Sequence, residues 1–424
     1  MTPTDLLLSD FGHAMHTVRT RPPRPARRRR SMPGAVWLAM ACASGLAIPA
    51  PAQGQGTPAR WADFTRAFDR FVAEEGVLGG GAVLVRDGRP AAWHHVGEAD
   101  RAAGQAADSA TIYHWGSITK TLTAIGIMQL RDRGLLSLDD PITRWVPELR
   151  QLHNPFGSND AITVRMLLSH SAGYQDPTWP YGEGRAWEPF EPTRWEQLVA
   201  MMPYQEVRFA PGSRYGYSNP AFIYLARVIE SITGDPYQSY VQKNIWTPLG
   251  LTRSYFGATP YHLAAHRSNS YVIRRDSTAG SRTEAIGRDF DPGITIPNGG
   301  WNAPLGDLAA YAAFLLGETG GDASRRATYD GVLARATLEE MWRTVVPVEG
   351  PESMGLSFFL LDLDGRKIVG HTGQQAGFRS FLSLDPASGT AVIAATNTIN
   401  RTRGAASGSD WQSLTRAGVR LLVP

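Results

Sequence analysis

Tyr113-His114-Trp115-Gly116-Ser117-Ile118-Thr119-Lys120 is the stretch on which the reading of this 424-residue chain turns. The residues after it, Leu122, Ala124, Ile125, Ile127, Met128 and Leu130, are apolar on more than one helical face. That is the pattern of a helix buried by its neighbours rather than one lying at a surface. Ser117 falls in the first turn of this helix, and Gly116 before it permits a close backbone approach. Ser117 and Lys120 are three residues apart and project from one helical face, near enough to meet. A serine hydroxyl is a poor nucleophile until a base takes its proton, and a lysine amine can take it when burial lowers its pKa. The helix N-terminus adds a positive dipole end beside any oxyanion formed there. Taken alone, Ser-x-x-Lys is also what a capping serine next to a solvated lysine looks like, so the rest of the chain has to decide.

Hydrophobic residues make up 42% and charged residues 19%, values of a globular protein rather than a disordered one. The length is sufficient for a large core. The net charge of +3 is unevenly spread: residues 1–52 hold Arg19, Arg21, Arg24, Arg27, Arg28, Arg29 and Arg30 against Asp5 and Asp10, which leaves the remainder at −2. The basic character belongs to the leader, and nucleic acid is dropped as a partner. The leader reads as a signal peptide: a basic run ending at Arg30, an apolar segment from about Ala35 to Ile48, and Ala50-Pro51-Ala52 as a small-x-small site with cleavage after Ala52. The alternative, an uncleaved signal anchor, has an apolar segment too short for a comfortable span. The expectation is a periplasmic or secreted domain over 53–424 with no stable membrane span. The single cysteine, Cys42, lies in the leader, so the mature chain has no disulfide and no thiol nucleophile.

Trp61, Phe64, Phe68 and Phe71 recur at helical spacing and predict an amphipathic helix over Arg60 to Ala73. Ala82 to Val85 and Ala91 to Val96, joined by Asp87-Gly88, predict a hairpin. A short helix is expected between Leu138 and Pro147, and a threonine-capped one from Ile162 to Gly173. Tyr174 to Pro192 is aromatic and irregular, with Trp179, Tyr181, Trp187 and Phe190, and reads as a long loop or lid. Pro220 to Ile232 is a helix with proline in its first turn. A helix and turn follow from Pro236 to Leu251, then a Gly/Pro-rich loop from Ile294 to Gly300 and a helix from Ala303 to Leu316. Leu356 to Leu363, Lys367 to Gly370, Phe378 to Leu384 and Thr390 to Thr396 alternate as strands, and Trp411 to Leu422 closes the chain as a helix. The fold class is α+β, an α/β sandwich: one antiparallel sheet built from both chain ends (about 60–134 and 340–424), flanked by helices, with a mostly helical insertion at about 135–339.

Two further motifs stand in chain order after Ser117-x-x-Lys120. Tyr217-Ser218-Asn219 precedes a helix, and His371-Thr372-Gly373 follows a strand. On these three motifs the chain resembles the serine β-lactamase and penicillin-binding protein family, most closely its class C and esterase-like branch. The flanks Leu167-Leu168-Ser169-His170-Ser171-Ala172-Gly173, Pro211-Gly212 and Gly299-Gly300 carry the same likeness, which runs from about Trp61 to Leu422. The resemblance implies a β-lactamase/DD-peptidase-like fold and an acyl-enzyme on Ser117. It implies that Lys120 and Tyr217 share the proton traffic, with the base role open between them. Asn219 would hold a substrate amide or carbonyl, and the backbone N–H groups of Ser117 and Gln374 would receive the oxyanion.

His371 departs from the family pattern, in which β-lactamases usually carry lysine to anchor the antibiotic's carboxylate. A mostly neutral histidine favours an esterase, amidase or D-peptide hydrolase over efficient β-lactam hydrolysis, with His371, Thr372, Gly373 and Gln374 lining the substrate. The substrate is expected to be a small-molecule or peptide-type acyl compound. Two other readings stay open: a true class C β-lactamase, and a penicillin-binding receptor that acylates without turnover. No cofactor is implied, and no His, Cys or carboxylate cluster has metal spacing; adjacent His94 and His95 point to opposite faces of a strand.

Overall fold

The computed structural model describes residues 59–174, 192–276, 280–363, 365–402 and 405–422. The signal peptide read over 1–52 and residues 175–191 of the aromatic lid lie outside the described residues. Among those described, nine strands form one sheet in the order Gln105–Ala106, Arg89–Asp100, Gly79–Arg86, Thr390–Thr396, Phe378–Asp385, Arg366–Gln375, Phe359–Leu363, Glu352–Met354, Val346–Pro347. Neighbours in it run antiparallel. An early and a late segment meet inside it, where Gly79–Arg86 pairs with Thr390–Thr396 from Gly80↔Thr396 to Arg86↔Thr390.

Both faces of these central strands are covered, so their residues are apolar in succession instead of alternating with polar ones. Val83, Val85, Ala391, Ile393 and Ala395 join the larger core, and Ala82, Leu84, Val392 and Ala394 join a second one. The terminal helices Ala59–Glu75 and Ala405–Leu422 close that second core. Phe64 meets Phe381 edge-on at 6.4 Å and Phe71 meets Trp411 at 5.5 Å between ring centroids, favourable aromatic geometries.

The larger core surrounds the helix Thr119–Asp132, whose residues from Thr119 to Leu130 are all buried. It crosses close to the helix Asn219–Thr233: a Cβ on Gly126 would sit 2.9 Å from Ile229 Cδ1. Its start differs from the expectation. Ser117 lies in a 3₁₀ turn, Gly116–Ile118, and the α-helix begins only at Thr119. The expected helix from Leu138 to Pro147 is two 3₁₀ turns, Ile142–Arg144 and Pro147–Gln151, each opened by a proline that lacks a donor. The threonine-capped helix spans only Val164–Leu168, with Thr163 accepting from the Met166 N–H, and ends before Gly173 because His170 takes a left-handed backbone at φ 53°. The loop from Ile294 is a turn followed by the short helix Ile296–Gly299. The next helix starts at Leu305, since Asn302–Pro304 pairs with Ile112–His114 as a strand. His371-Thr372-Gly373 lies inside the strand Arg366–Gln375 and not after it. A hairpin, Ser270–Asp276 with Gly280–Gly287, and the parallel pairing of Thr398–Asn400 onto it were not anticipated.

Candidate active site

The Ser117 turn is set by backbone contacts. The Trp115 N–H donates to the Trp301 carbonyl at 2.8 Å, and the Trp115 indole donates to the Ala303 carbonyl at 2.9 Å. The Thr119 hydroxyl donates to the Gly116 carbonyl at 2.6 Å and accepts the Trp301 N–H at 3.0 Å. Gly116 has φ 53°, and a Cβ there would lie 2.7 Å from the Gln374 backbone nitrogen. A Cβ on Gly373 would collide with the Trp115 carbonyl oxygen, which also accepts the Ser380 hydroxyl at 2.9 Å. Two glycines, one on each side, thus let the strand Arg366–Gln375 lie backbone-to-backbone against the serine turn.

Lys120 is fully buried. Its Nζ lies 3.0 Å from Ser117 Oγ, a hydroxyl that can donate or accept, and donates to Asn219 Oδ1 at 2.7 Å and to the Asn298 carbonyl at 2.8 Å. Asn298 Nδ2 also donates to Asn219 Oδ1 at 3.2 Å. Ser218 caps the helix that carries Asn219, its hydroxyl accepting from the Ala221 N–H, and Pro220 occupies the first turn. Tyr217 is partly exposed just before the cap, and Lys120 Nζ lies 4.9 Å from its ring centroid. The structure therefore brings Ser117, Lys120, Tyr217 and Asn219 together from two segments about a hundred positions apart. Asn298, on the short helix before Gly299-Gly300, was missed by the sequence reading. Its contribution through a backbone carbonyl has no residue-type signature.

His371 is buried beside this group, 6.4 Å from Tyr217 between ring centroids and 5.2 Å from Phe359. Its Nδ1 is 2.5 Å from the Thr372 carbonyl. Burial, and then the Lys120 charge, push its pKa down to about 3, so the ring is neutral. A neutral ring touching a carbonyl through Nδ1 carries its hydrogen there, which leaves Nε2 as an acceptor. Thr372 is partly exposed and Gly373 buried, while Gln374 is exposed with its Oε1 accepting from Arg379 Nε at 2.9 Å. His170 stacks on Tyr217. His94 Nε2 contacts Asp69 at 2.6 Å, and His95 stacks on Trp93. Among the described residues no group of three or more His, Cys, Asp or Glu side chains is placed to hold a metal ion, and no helix is long and apolar enough to cross a membrane.

A family model described as Beta-lactamase matches residues 64–415. The chain is 29% identical over 288 residues to esterase EstB from Burkholderia gladioli, covering 61% of this chain and 72% of that protein. It is 28% identical over 198 residues to penicillin-binding protein 4* of Bacillus subtilis (strain 168), covering 45% of this chain and only 42% of that relative's length. Among solved structures, a D-stereospecific amidohydrolase from Streptomyces sp. aligns with TM-score 0.65 and 27% identity over 84% of this chain and 98% of that one. The octameric penicillin-binding protein homologue from Pyrococcus abyssi aligns with TM-score 0.66 and 25% identity over 84% and 77%.

Proposed function

The chain belongs to the beta-lactamase family of serine hydrolases, and from that premise we propose that it hydrolyses an ester, amide or D-peptide-type acyl substrate through an acyl-enzyme on Ser117. The observation that carries the proposal is the setting of Lys120. Two of its partners, Asn219 Oδ1 and the Asn298 carbonyl, can only accept. As a neutral amine Lys120 gives them its two hydrogens and turns its lone pair to the Ser117 hydroxyl at 3.0 Å. Ser117 Oγ then bonds the acyl carbon as its proton passes to Nζ. The tetrahedral oxyanion sits at the seam between the Ser117 turn and Gln374, where backbone donors are worth about 3 kcal/mol each. On collapse the leaving group takes a proton from the Lys120–Tyr217 pair; water then attacks the acyl-enzyme with the pair receiving its proton, and the pair returns that proton to Ser117 Oγ as the acyl–oxygen bond breaks and the acid leaves. Asn219 holds Lys120 through Oδ1, and in this reading its amide also meets a substrate amide or carbonyl.

Substrate choice follows from His371. With its hydrogen committed to the Thr372 carbonyl, Nε2 carries a lone pair that is buried in this structure, and in this reading a substrate group that displaces the covering side chains meets it. A carboxylate, the group a β-lactam offers, is repelled there; an N–H or O–H donor is accepted. This supports an ester, amide or D-peptide substrate over a β-lactam. We further propose export through the leader at 1–52, which N-terminal sequencing of protein from the periplasm or medium would check.

The test is a panel of a short-chain aryl ester, a D-amino acid amide and a chromogenic cephalosporin, run with wild type and Ser117→Ala. Ester or amide turnover that is lost in Ser117→Ala, with a transient acyl mass on the Ser117 peptide, is the expected result. Undiminished turnover by Ser117→Ala overturns the proposal. A strong cephalosporin preference moves the assignment to a β-lactamase, and a permanent adduct without product moves it to a receptor.

A further inference from the structure

Three contacts converge from one buried histidine onto the loop that carries Tyr217. The His170 carbonyl accepts the Gly216 N–H at 2.8 Å. Its Nδ1 accepts the Ser218 N–H at 3.0 Å. Its ring stacks on the Tyr217 ring with centroids 4.3 Å apart and planes 26° from parallel. The residues on either side of Tyr217 are therefore tied to the same histidine whose ring lies against the phenol between them. His170 takes φ 53°, a conformation costly for most residues. It allows the carbonyl and the side chain of one residue to reach one loop.

The hydrogen-bond directions fix the chemistry of the ring. A backbone N–H can only donate, so Nδ1 carries a lone pair and the hydrogen is on Nε2. Among the described residues Nε2 has no hydrogen-bond partner, and the side chain is fully buried. Burial holds its pKa well below the usual histidine value and keeps this ring neutral. With its only lone pair held by Ser218, His170 cannot serve as a proton acceptor for Ser117.

We propose that His170 is a positioning residue: through its carbonyl, its Nδ1 and its ring face it clamps residues 216–218 and aims the Tyr217 phenol at the Ser117–Lys120 pair. This rests on the acyl-enzyme reading above. It adds to that reading a residue that touches neither substrate nor nucleophile and sets the geometry of one that does.

The experiment compares His170→Asn and His170→Phe with wild type in steady-state ester hydrolysis, normalised to the folded fraction from calorimetry. Asparagine tolerates the left-handed backbone and its Oδ1 can accept the Ser218 N–H, but it has no ring to stack. Phenylalanine keeps a ring and loses the acceptor. Both variants should lower kcat by about tenfold or more while KM moves by less than about threefold, because a phenol displaced by a fraction of an ångström affects the reacting step more than binding. In parallel, ¹⁵N NMR of the folded wild type should find His170 protonated at Nε2 and bare at Nδ1. An asparagine variant with kcat within about twofold of wild type, or a ring protonated at Nδ1, overturns the clamp. The NMR result does not depend on turnover, so a protein whose activity proved independent of Ser117 would sink the functional reading while the tautomer still decided this one.

Discussion

Gly116→Ala tests the seam on which the oxyanion site depends. The new Cβ would stand 2.7 Å from the Gln374 backbone nitrogen, where ordinary contact begins at 3.4 Å, so the serine turn and the strand must separate by about 0.7 Å. Neither side yields easily, since both contacts are backbone. A left-handed backbone at φ 53° adds about 1–2 kcal/mol for a residue with a Cβ, which a margin of about 5–15 kcal/mol tolerates. The protein should fold, with a lower melting temperature. Catalysis should suffer more: a reacting group misplaced by about 1 Å costs about 10²-fold, and one lost oxyanion donor about 10²–10³-fold in kcat. The expected result is a fall in kcat of about 10²-fold with KM within about threefold, read by stopped-flow aryl-ester hydrolysis. Gly134→Ala is the control. Gly134 also has positive φ, at 72°, but a Cβ there meets nothing within 4 Å. It bears the backbone cost alone and should keep full activity. If Gly116→Ala hydrolyses the ester at the wild-type rate, or if Gly134→Ala loses as much, close approach at the seam is not what makes the site.

Lys120→Met keeps the buried volume and removes the amine; kcat should drop by about 10²–10⁴-fold, the usual worth of general-base catalysis, with the folded state intact by circular dichroism. His371 and His114 have folded pKa values pushed down to about 3 and about 4, in each case chiefly by burial, whereas an unfolded histidine titrates near 6.5. Below about pH 6.5 the unfolded chain therefore binds more protons. Stability is full above that value and is lost as the pH falls toward 3–4, each ring contributing up to about 1.4 kcal/mol per pH unit. Urea midpoints at about pH 7 and about pH 5 should diverge in wild type and diverge less in His371→Asn. Phe68→Ala, in the second core on the far side of the sheet from Ser117, should cost about 3–5 kcal/mol in urea unfolding and leave kcat of the folded enzyme unchanged.

The elements of the candidate site were legible where a motif is short and local. Ser117 and Lys120 sit one turn apart, and the spacing alone brings Nζ to Oγ. The strands of the C-terminal hairpins were legible from their turns and apolar runs. What the sequence hid is mostly backbone. The Asn298 carbonyl completes the lysine's setting, and carbonyls look alike at every position. His170 lies beside the motifs with no signal of a role, because only the fold brings it against Tyr217. The hairpin at 270–287 carries a strand signal only over Tyr271, Val272 and Ile273 before the charged Arg274, Arg275 and Asp276, and its second strand alternates no apolar residues. The helix from Ile162 was read too long because its apolar run continues past the point where the backbone turns left-handed.

The pairing of Gly79–Arg86 with Thr390–Thr396 has a consequence for when the enzyme comes alive. A chain that leaves its ribosome N-terminus first exposes Ser117 early, yet the strand Arg366–Gln375 that lies against its turn, and the strand Thr390–Thr396 that ties the sheet to Gly79–Arg86, follow about 250 or more residues later. Pairings this remote in sequence close slowly. On the proposed reading, the serine is until then only an alcohol on an unfinished scaffold, without the seam that would receive an oxyanion. Chains cut short before Thr390 should be silent toward the aryl ester, and supplying the missing segment as a separate peptide should be the way to wake them.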